Sequence, residues 1–522
     1  MTIDCLNPCE CNDDSMNLLL FCQCRITIHN CYSKGMYGWH GGGRPAGFES
    51  SKLLQIVQRN EGSSLGAFLC RQTVRKILLF SIGICISLIL YLTISPFLDV
   101  HISHHPVSSF NFTSTLNDHD ATVLGRLAKT CVQRREMDSF VRNDVWYVMT
   151  NSERRLEVCV FSAFLDDRDE HQMWLRLLSV SNTQPNAVVF CQVWYAGVKH
   201  PVVSVAEVLD TGRGADRLGT HHQERLYSCA LPVVSLAPRY VSLAFDQCQT
   251  ATASVTVQRP QVAQDQVSIG VCVAVAYGRI EPRDLVEWIE FNRVLGVGEI
   301  NVYSSRPNHE AIAVFSHYNQ SDILRWQTVF PPVRDSCLWC HKLSTIPVIN
   351  DCLYRNMHRY RYLAVIDFDE FIIPRNHGNL LEALQGIEKK SGGSQPAIMF
   401  RNAYFFLDFP KQESDGDLVS MTHVNRLNPN KAGYAPKSII DPRKCIIVQN
   451  HYCMTRTSDV GPTWTSVASE DEALLHHYKK CHFGRPECED LLQHPIYDNS
   501  TLRFKEKLLP LVKEALDVIH MR

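Results

Sequence analysis

Between Ile77 and Ile94 the chain reads ILLFSIGICISLILYLTI, a run without a single charge. Its length falls within the ~17–25 apolar residues needed to cross a bilayer core. It is apolar all round rather than striped, which separates it from an ordinary core-facing helix. A membrane-spanning helix is therefore expected here. Seventy-six residues precede the run, too many for a cleaved leader. Arg71, Arg75 and Lys76 sit just before it, whereas Asp99 and several histidines follow. The excess of basic residues on the N-terminal side places that end in the cytosol and the bulk of the chain in a lumen. The three Asn-X-Ser/Thr triplets, at Asn111, Asn319 and Asn499, all lie beyond the span, as acceptors on the lumenal side would.

Cysteine usage divides around the same run. Of 21 cysteines, seven precede it and thirteen follow it. Thirteen spread over a large region fit disulfides formed in an oxidising compartment, and their odd number leaves at least one thiol without an internal partner. The cysteines of the first 70 residues, such as Cys5, Cys9 and Cys11, lack the paired spacing of a zinc finger. A formal charge of −2 and a pI near 6.9 supply no basic stripe, so no nucleic-acid partner is expected. A chain of 522 residues exceeds one ordinary core and points to two globular units with appendages.

Residues 99–135 are polar and without apolar periodicity, as a stem would be. From about Val145 the texture turns to short apolar runs, LEVCVFSAFL (156–165), NAVVFCQVWYAG (186–197) and YVSLAFDQC (240–248). Such spacing predicts a small β-sandwich-like unit. A different pattern begins near Val267. VSIGVCVAVAYG reads as a buried strand and Pro282 starts an amphipathic helix. Leu285, Trp288 and Ile289 form its apolar side, Glu287, Glu290 and Arg293 its polar one. EINVYSS (299–305) is the next strand. Strand, helix and strand within about 40 residues predict a mostly parallel α/β sheet.

The chemistry is carried by Arg361-YLAVI-DFDE-FIIP-Arg375. Leu363 to Ile366 predict a buried strand that ends in Asp367, Asp369 and Glu370. In open α/β sheets ligands gather at the carboxyl ends of strands. Strand alternation would put Asp367 and Asp369 on one side with Phe368 opposite, so that two carboxylates converge on one hard cation. Such an ion can neutralise a departing diphosphate. An Asp-X-Asp alone is common on surfaces; acids between strongly apolar flanks are costly unless paired or metal-bound.

YLAVIDFDEFIIP resembles the signature of glycosyltransferase family 92. The likeness extends over about residues 155–485 through SAFLDDR (162–168), LVEWIEFNRVLGV (285–297), NDCLYR (350–355), KSIIDP (437–442) with His451 downstream, and ALLHHYK (473–479). The resemblance implies a GT-A-like, Rossmann-type catalytic domain preceded by a β-rich module. It implies transfer of a sugar, typically galactose from UDP-galactose, with inversion and usually with Mn²⁺ or another divalent cation. Its characterised animal members act on N-glycan core fucose. The expected layout is a cytosolic tail (1–74), a signal anchor (75–98), a stem (99–144), the β-rich module (145–262) and the catalytic domain (263–522). The expected location is the Golgi membrane, type II, with the catalytic domain lumenal.

Carried over by the resemblance, Asp367 and Asp369 match the metal- and diphosphate-binding acids. His477 matches a C-terminal histidine that often completes the metal site, with His476 and His451 as rivals. A neutral imidazole suits Mn²⁺ beside two carboxylates. Asp351 and Arg355 could face the donor nucleotide or form a structural ion pair, Lys437 could offset phosphate charge, and His451 is a further donor-binding candidate. One departure is Asp441, where a basic residue is expected before Pro442. An inverting transferase also needs a carboxylate base, for which Asp471, Glu472, Asp408 and Glu370 are open candidates. Two other classes remain in view. A lectin-like Golgi membrane protein without catalysis would bind glycan but not turn over donor. A glycoside hydrolase would need opposed carboxylates rather than two acids two residues apart.

Overall fold

A computed structural model describes residues 112–520, apart from 133–140, 143–144, 170, 185, 212–220, 261, 263–265, 333–339, 414–416, 458–464 and 482–485. The expected cytosolic tail, the membrane span, the first part of the stem and Asn111 lie outside the described residues. Among the described residues no helix is long and apolar enough to cross a membrane. The described residues belong to one compact unit. Asn319 and Asn499 are both exposed within it.

The strands between Val141 and Gln258 form one ten-stranded sheet. Phe190–Tyr195 and Gln223–Ala230 stand five strand positions apart along it, about 24 Å if the sheet were flat. Cys191 and Cys229 on these strands are nevertheless disulfide-bonded, with Cα atoms 6.0 Å apart. The sheet must therefore fold over on itself. The expected sandwich is thus made from one continuous sheet, and Val255–Gln258 carries it from one layer to the other. That strand pairs antiparallel with Pro238–Ala244 and parallel with Glu157–Asp166.

Glu157–Asp166 serves two cores at once. Val158, Val160, Ala163 and Leu165 point between the layers. Cys159, Phe161 and Phe164 point the other way, into a core shared with Ile349, Leu353 and Tyr354 of the helix Thr345–Asn356. A register slip between Val160 and Ser162 keeps this sorting intact.

The C-terminal part is built on a seven-stranded sheet. Its strands are β1 (Val267–Tyr277), β2 (Glu299–Ser305), β3 (Leu324–Thr328), β4 (Tyr360–Val365), β6 (Ala397–Phe400), β8 (Lys437–Ile440) and β9 (Ser466–Val467). The order is β3-β2-β1-β4-β8-β6-β9. Pairing is parallel from β3 through β4 and between β6 and β9, and antiparallel on both sides of β8. The mixed α/β class and the predicted strand–helix–strand unit are both present. Gly270 in β1 has a steric cause, because a Cβ there would lie 2.2 Å from the Tyr360 ring. Beside this sheet β5 (Glu370–Pro374), β10 (Ala473–Lys479) and β7 (Asn402–Phe406) form a small three-stranded one, with β10 in the middle.

Helix α1 (Pro282–Val294) connects β1 to β2, and α2 (His309–Gln320) connects β2 to β3. Pro282 occupies the first turn of α1, where its missing N–H costs nothing. Contrary to the amphipathic reading, Glu287 and Glu290 are buried. Both Glu287 oxygens accept backbone N–H groups, from Val419 and Ser420 at 2.7 Å. Glu290 accepts the Tyr318 hydroxyl at 2.7 Å and pairs with Arg293. Buried carboxylates are tolerable because these partners satisfy them. Helix α3 (Thr345–Asn356) is tied to β1 by the Cys272–Cys352 disulfide.

Candidate active site

Strand β4 stops at Val365 and β5 starts at Glu370, which leaves Asp367, Phe368 and Asp369 in a turn. The carboxylates converge through this turn and not through strand alternation, as the sequence pattern had implied. Phe368 pins the turn from below. Its ring meets Trp288 edge-on at 4.9 Å, and the Trp288 Nε1–H donates to the Glu370 carbonyl at 3.0 Å. The side chains of Asp367 and Asp369 are 41% and 47% exposed, whereas that of Glu370 is 3% exposed. One oxygen from each of the three acids lies within 4.8 Å of the other two.

Beneath the turn sits Lys437, the first residue of β8, with no exposed surface. Its ammonium donates to Asp367 Oδ2 at 2.9 Å and Asn450 Oδ1 at 3.1 Å, and lies 3.1 Å from Glu370 Oε2. Burial opposes ionisation of Asp367, but the adjacent ammonium outweighs it and holds the carboxyl below its ordinary range. Burial has the upper hand at Glu370, whose carboxyl is raised. Lys437 itself is deeply buried, yet the two carboxylates keep it protonated, above its usual range.

His477 reaches the same turn from β10. Antiparallel pairing with β5 sets it directly opposite Glu370. Its Nε2 lies 3.2 Å from Asp369 Oδ2 and its Nδ1 3.5 Å from Glu370 Oε1. His476, one residue earlier, points to the other face of β10. It is fully buried and stacks on Phe405 at 4.1 Å. Burial drives its pKa down to about 3. Between the two neighbours, strand geometry selects His477. Two carboxylates and an imidazole with an open face fit a divalent cation of the Mn²⁺ kind.

The turn opens into a cleft of about 820 Å³ at the carboxyl end of β1. Its wall includes Val273–Tyr277, Arg279, Glu281 and Asp284, then Lys342, Thr345 and Asn450, with Asp367, Asp369 and His477 at one side. The volume suits a ligand of several rings, and the position is the expected one for an α/β sheet. Residues 267–520 match the family model described as Glycosyltransferase family 92. This part of the chain belongs to that family. The family 92 region thus places the acid turn and His477 on a single cleft.

Comparison with curated proteins finds no match. Among solved structures the chain is similar to S. aureus TarS 1-349, at 10% identity and a TM-score of 0.22, over 41% of this chain and 60% of that one. It is also similar to 4-diphosphocytidyl-2C-methyl-D-erythritol synthase, at 11% identity and a TM-score of 0.19, over 35% of this chain and 77% of that one. Likenesses that slight bear on neither fold nor activity. The activity class of the family 92 region, glycosyl transfer, follows from the family match.

Other residues singled out in the sequence fall elsewhere. Asp351 has no exposed surface; it accepts the Tyr303 hydroxyl at 2.6 Å, Arg355 Nη2 at 3.1 Å on both oxygens, and Arg355 Nε at 3.2 Å. Arg355 also donates to Gln258 at 2.7 Å. The pair joins α3 to β2 and to the N-terminal sheet, as the structural alternative required, and does not line the cleft. Lys437 reaches the acids from below and does not face the cleft either. His451 bonds the Pro436 carbonyl through Nδ1 at 2.7 Å, and its neighbour Asn450 lines the cleft instead. Asp471 and Glu472 stand in the turn just before β10, five or more residues from His477, about 17 Å of extended chain. Glu472 is bonded to Lys390 and Ser469 there, and Asp408 is bonded to the Cys481 N–H. Asp441 is buried between Arg361 and Arg443. The basic residue expected before Pro442 follows it instead, as Arg443, and serves this ion pair.

The cleft cations Arg279 and Lys342 carry no motif, and sequence reasoning passed over them. The available signal was position: Arg279 stands two residues past the end of β1, where an α/β sheet presents its ligand-binding loop.

Proposed function

We propose that this chain is a metal-dependent, inverting glycosyltransferase of the GT-A type. It transfers galactose from UDP-galactose to a glycoconjugate, as the family 92 resemblance implies, with N-glycan core fucose as the acceptor to test first. The observation that carries this reading is the convergence of Asp367, Asp369 and His477 at the mouth of one large cleft. Asp367, Asp369 and His477 would hold the cation, which would neutralise charge on the departing diphosphate. Arg279 and Lys342 face the same space and add positive charge where phosphate oxygens would lie. Phe368, wedged against Trp288, keeps the acids from drifting as the ligand enters.

Inversion requires one carboxylate to take the acceptor proton. Besides the acid turn, Glu281 and Asp284 are the acids lining the cleft among the described residues, and they replace Asp471 and Glu472 as the base candidates. Five disulfides among the described residues support an oxidising compartment, in line with a Golgi-lumenal domain behind a type II anchor.

The test is turnover of a panel of UDP-sugars on a glycan array, with and without chelator. Galactose transfer that ceases with chelator and in Asp369→Ala is expected. Glycan binding without donor turnover would replace this reading with the lectin-like one.

A further inference from the structure

The three acids of the turn do not have the same bonding. Asp367 and Asp369 are each about half exposed toward the cleft, while the Glu370 side chain is buried. Each Glu370 oxygen faces a polar neighbour. Oε2 accepts the Asp367 backbone N–H at 3.0 Å and lies 3.1 Å from the Lys437 ammonium. Oε1 faces His477 Nδ1 at 3.5 Å. That nitrogen is buried and makes no hydrogen bond to the described residues, which leaves Glu370 Oε1 as the acceptor it faces. Register fixes this contact, because Glu370 and His477 are direct cross-strand partners.

A neutral imidazole carries one N–H and one lone pair, and an acceptor at one nitrogen decides which is which. Here both nitrogens face carboxylates, Nδ1 that of Glu370 at 3.5 Å and Nε2 that of Asp369 at 3.2 Å. A cation held by Asp367 and Asp369 would claim the Nε2 lone pair and leave the proton on Nδ1, toward Glu370 Oε1. Nε2 is the nitrogen that lies 3.2 Å from Asp369 Oδ2, on the cleft side. We propose that Glu370 is not a metal ligand. It is the positioning residue that sets the tautomer and aim of His477, while Lys437 and the Asp367 N–H hold Glu370 itself in place. The metal ligands are then Asp367, Asp369 and His477 Nε2. This inference rests on the metal-dependent reading above. Groups that orient a ligating histidine in this way typically govern metal affinity by about 10- to 100-fold.

The geometry makes Glu370→Gln a sharp probe. Two donors, the Asp367 N–H and Lys437, hold the position of Oε2, so the amide oxygen must take it. The NH2 group then faces His477 Nδ1 and forces the proton onto Nε2, where it blocks ligation. The variant keeps the shape of the side chain, and thermal unfolding checks that it is folded.

The experiment is a double-mutant cycle on Mn²⁺ affinity, read by electron paramagnetic resonance of the free ion. It uses the full chain, E370Q, H477A and the double variant. The expected result is a 10- to 100-fold weaker affinity in each single variant and no more than about a twofold further loss in the double variant. Multiplying losses would make Glu370 an independent ligand and overturn the proposal, as would unchanged affinity in E370Q. A second readout needs no variant. Spin-echo modulation from the bound Mn²⁺ of the wild-type protein must show one directly bound imidazole nitrogen, and its absence overturns the proposal. A wild-type protein that binds no Mn²⁺ sinks the metal-dependent reading together with this one. Mn²⁺ binding with an additive cycle sinks this inference alone.

Discussion

The ring of Phe368 stands edge-on to that of Trp288, centroids 4.9 Å apart and planes 84° apart. One aromatic contact thus fastens the turn that carries Asp367 and Asp369 to helix α1. The same Trp288 donates to the Glu370 carbonyl, so the middle and the far end of the turn are tied to one side chain. Phe368→Ala should remove the wedge while leaving both acids in the chain. Phe368 is only half-buried, so the stability cost should be modest, roughly 1–3 kcal/mol. The effect on function should be larger, because misplacing ligands by about an ångström costs on the order of 100-fold in rate. Denaturant unfolding beside donor turnover at saturating substrate tests this. A rate that falls no more than the folded fraction would show that the wedge does not position the acids.

Lys437 supplies the second prediction. Its charge is fully buried, with Asp367 and Glu370 around it. Lys437→Met keeps the bulk and removes the charge. Glu370 is then left as a buried carboxylate without a cation, a change that typically costs about 3–5 kcal/mol. Exposure of Asp367 should place the loss near the lower end of that range. Chemical denaturation of the folded protein measures it. A variant as stable as the wild type would mean that the acids do not need this lysine.

What could be read from the sequence follows local pattern. The apolar runs of β1, β2 and β4 announced themselves, and Pro282 marked the start of α1 within the chain. The acids appeared at the end of a strand because their flanks are strongly apolar. Other features depended on partners distant in sequence. Glu287 looked like a solvated helix face, since the N–H groups that bury it belong to Val419 and Ser420, more than 130 positions away. His476 and His477 could not be ranked by spacing. Adjacent strand residues face opposite ways, and only the pairing of β10 with β5 says which one meets the acids. Lys437 carried an open role for the same reason, because its placement beneath the turn depends on β8 lying beside β4.

The disulfides differ in how much they constrain the unfolded chain. Cys272–Cys352 closes a span of 80 residues and Cys481–Cys488 one of 7. The loop-entropy relation gives about 4.5 and about 2.4 kcal/mol respectively. Replacing the first pair by serines should therefore lower stability by about 2 kcal/mol more than replacing the second. Guanidinium midpoints of the two double variants, with equal slopes, check the ordering. The reverse order would show that folded-state packing around α3, and not chain entropy, dominates.

The buried His476 gives the protein a pH dependence that can be assigned to one side chain. Burial beside Phe405 lowers its pKa to about 3, from an ordinary 6.5. Between those values the unfolded chain binds a proton that the folded one refuses, so protonation favours unfolding. This contribution is complete above about pH 6.5 and is lost as the pH falls toward 3. Its slope is at most about 1.4 kcal/mol per pH unit. His476→Phe preserves an aromatic stack on Phe405 and removes the titration. Between pH 6.5 and 4 the variant should lose less stability than the wild type, while at pH 8 the two should differ only by a constant packing term. Unfolding free energies measured at half-unit steps would show parallel curves if His476 were not the group responsible.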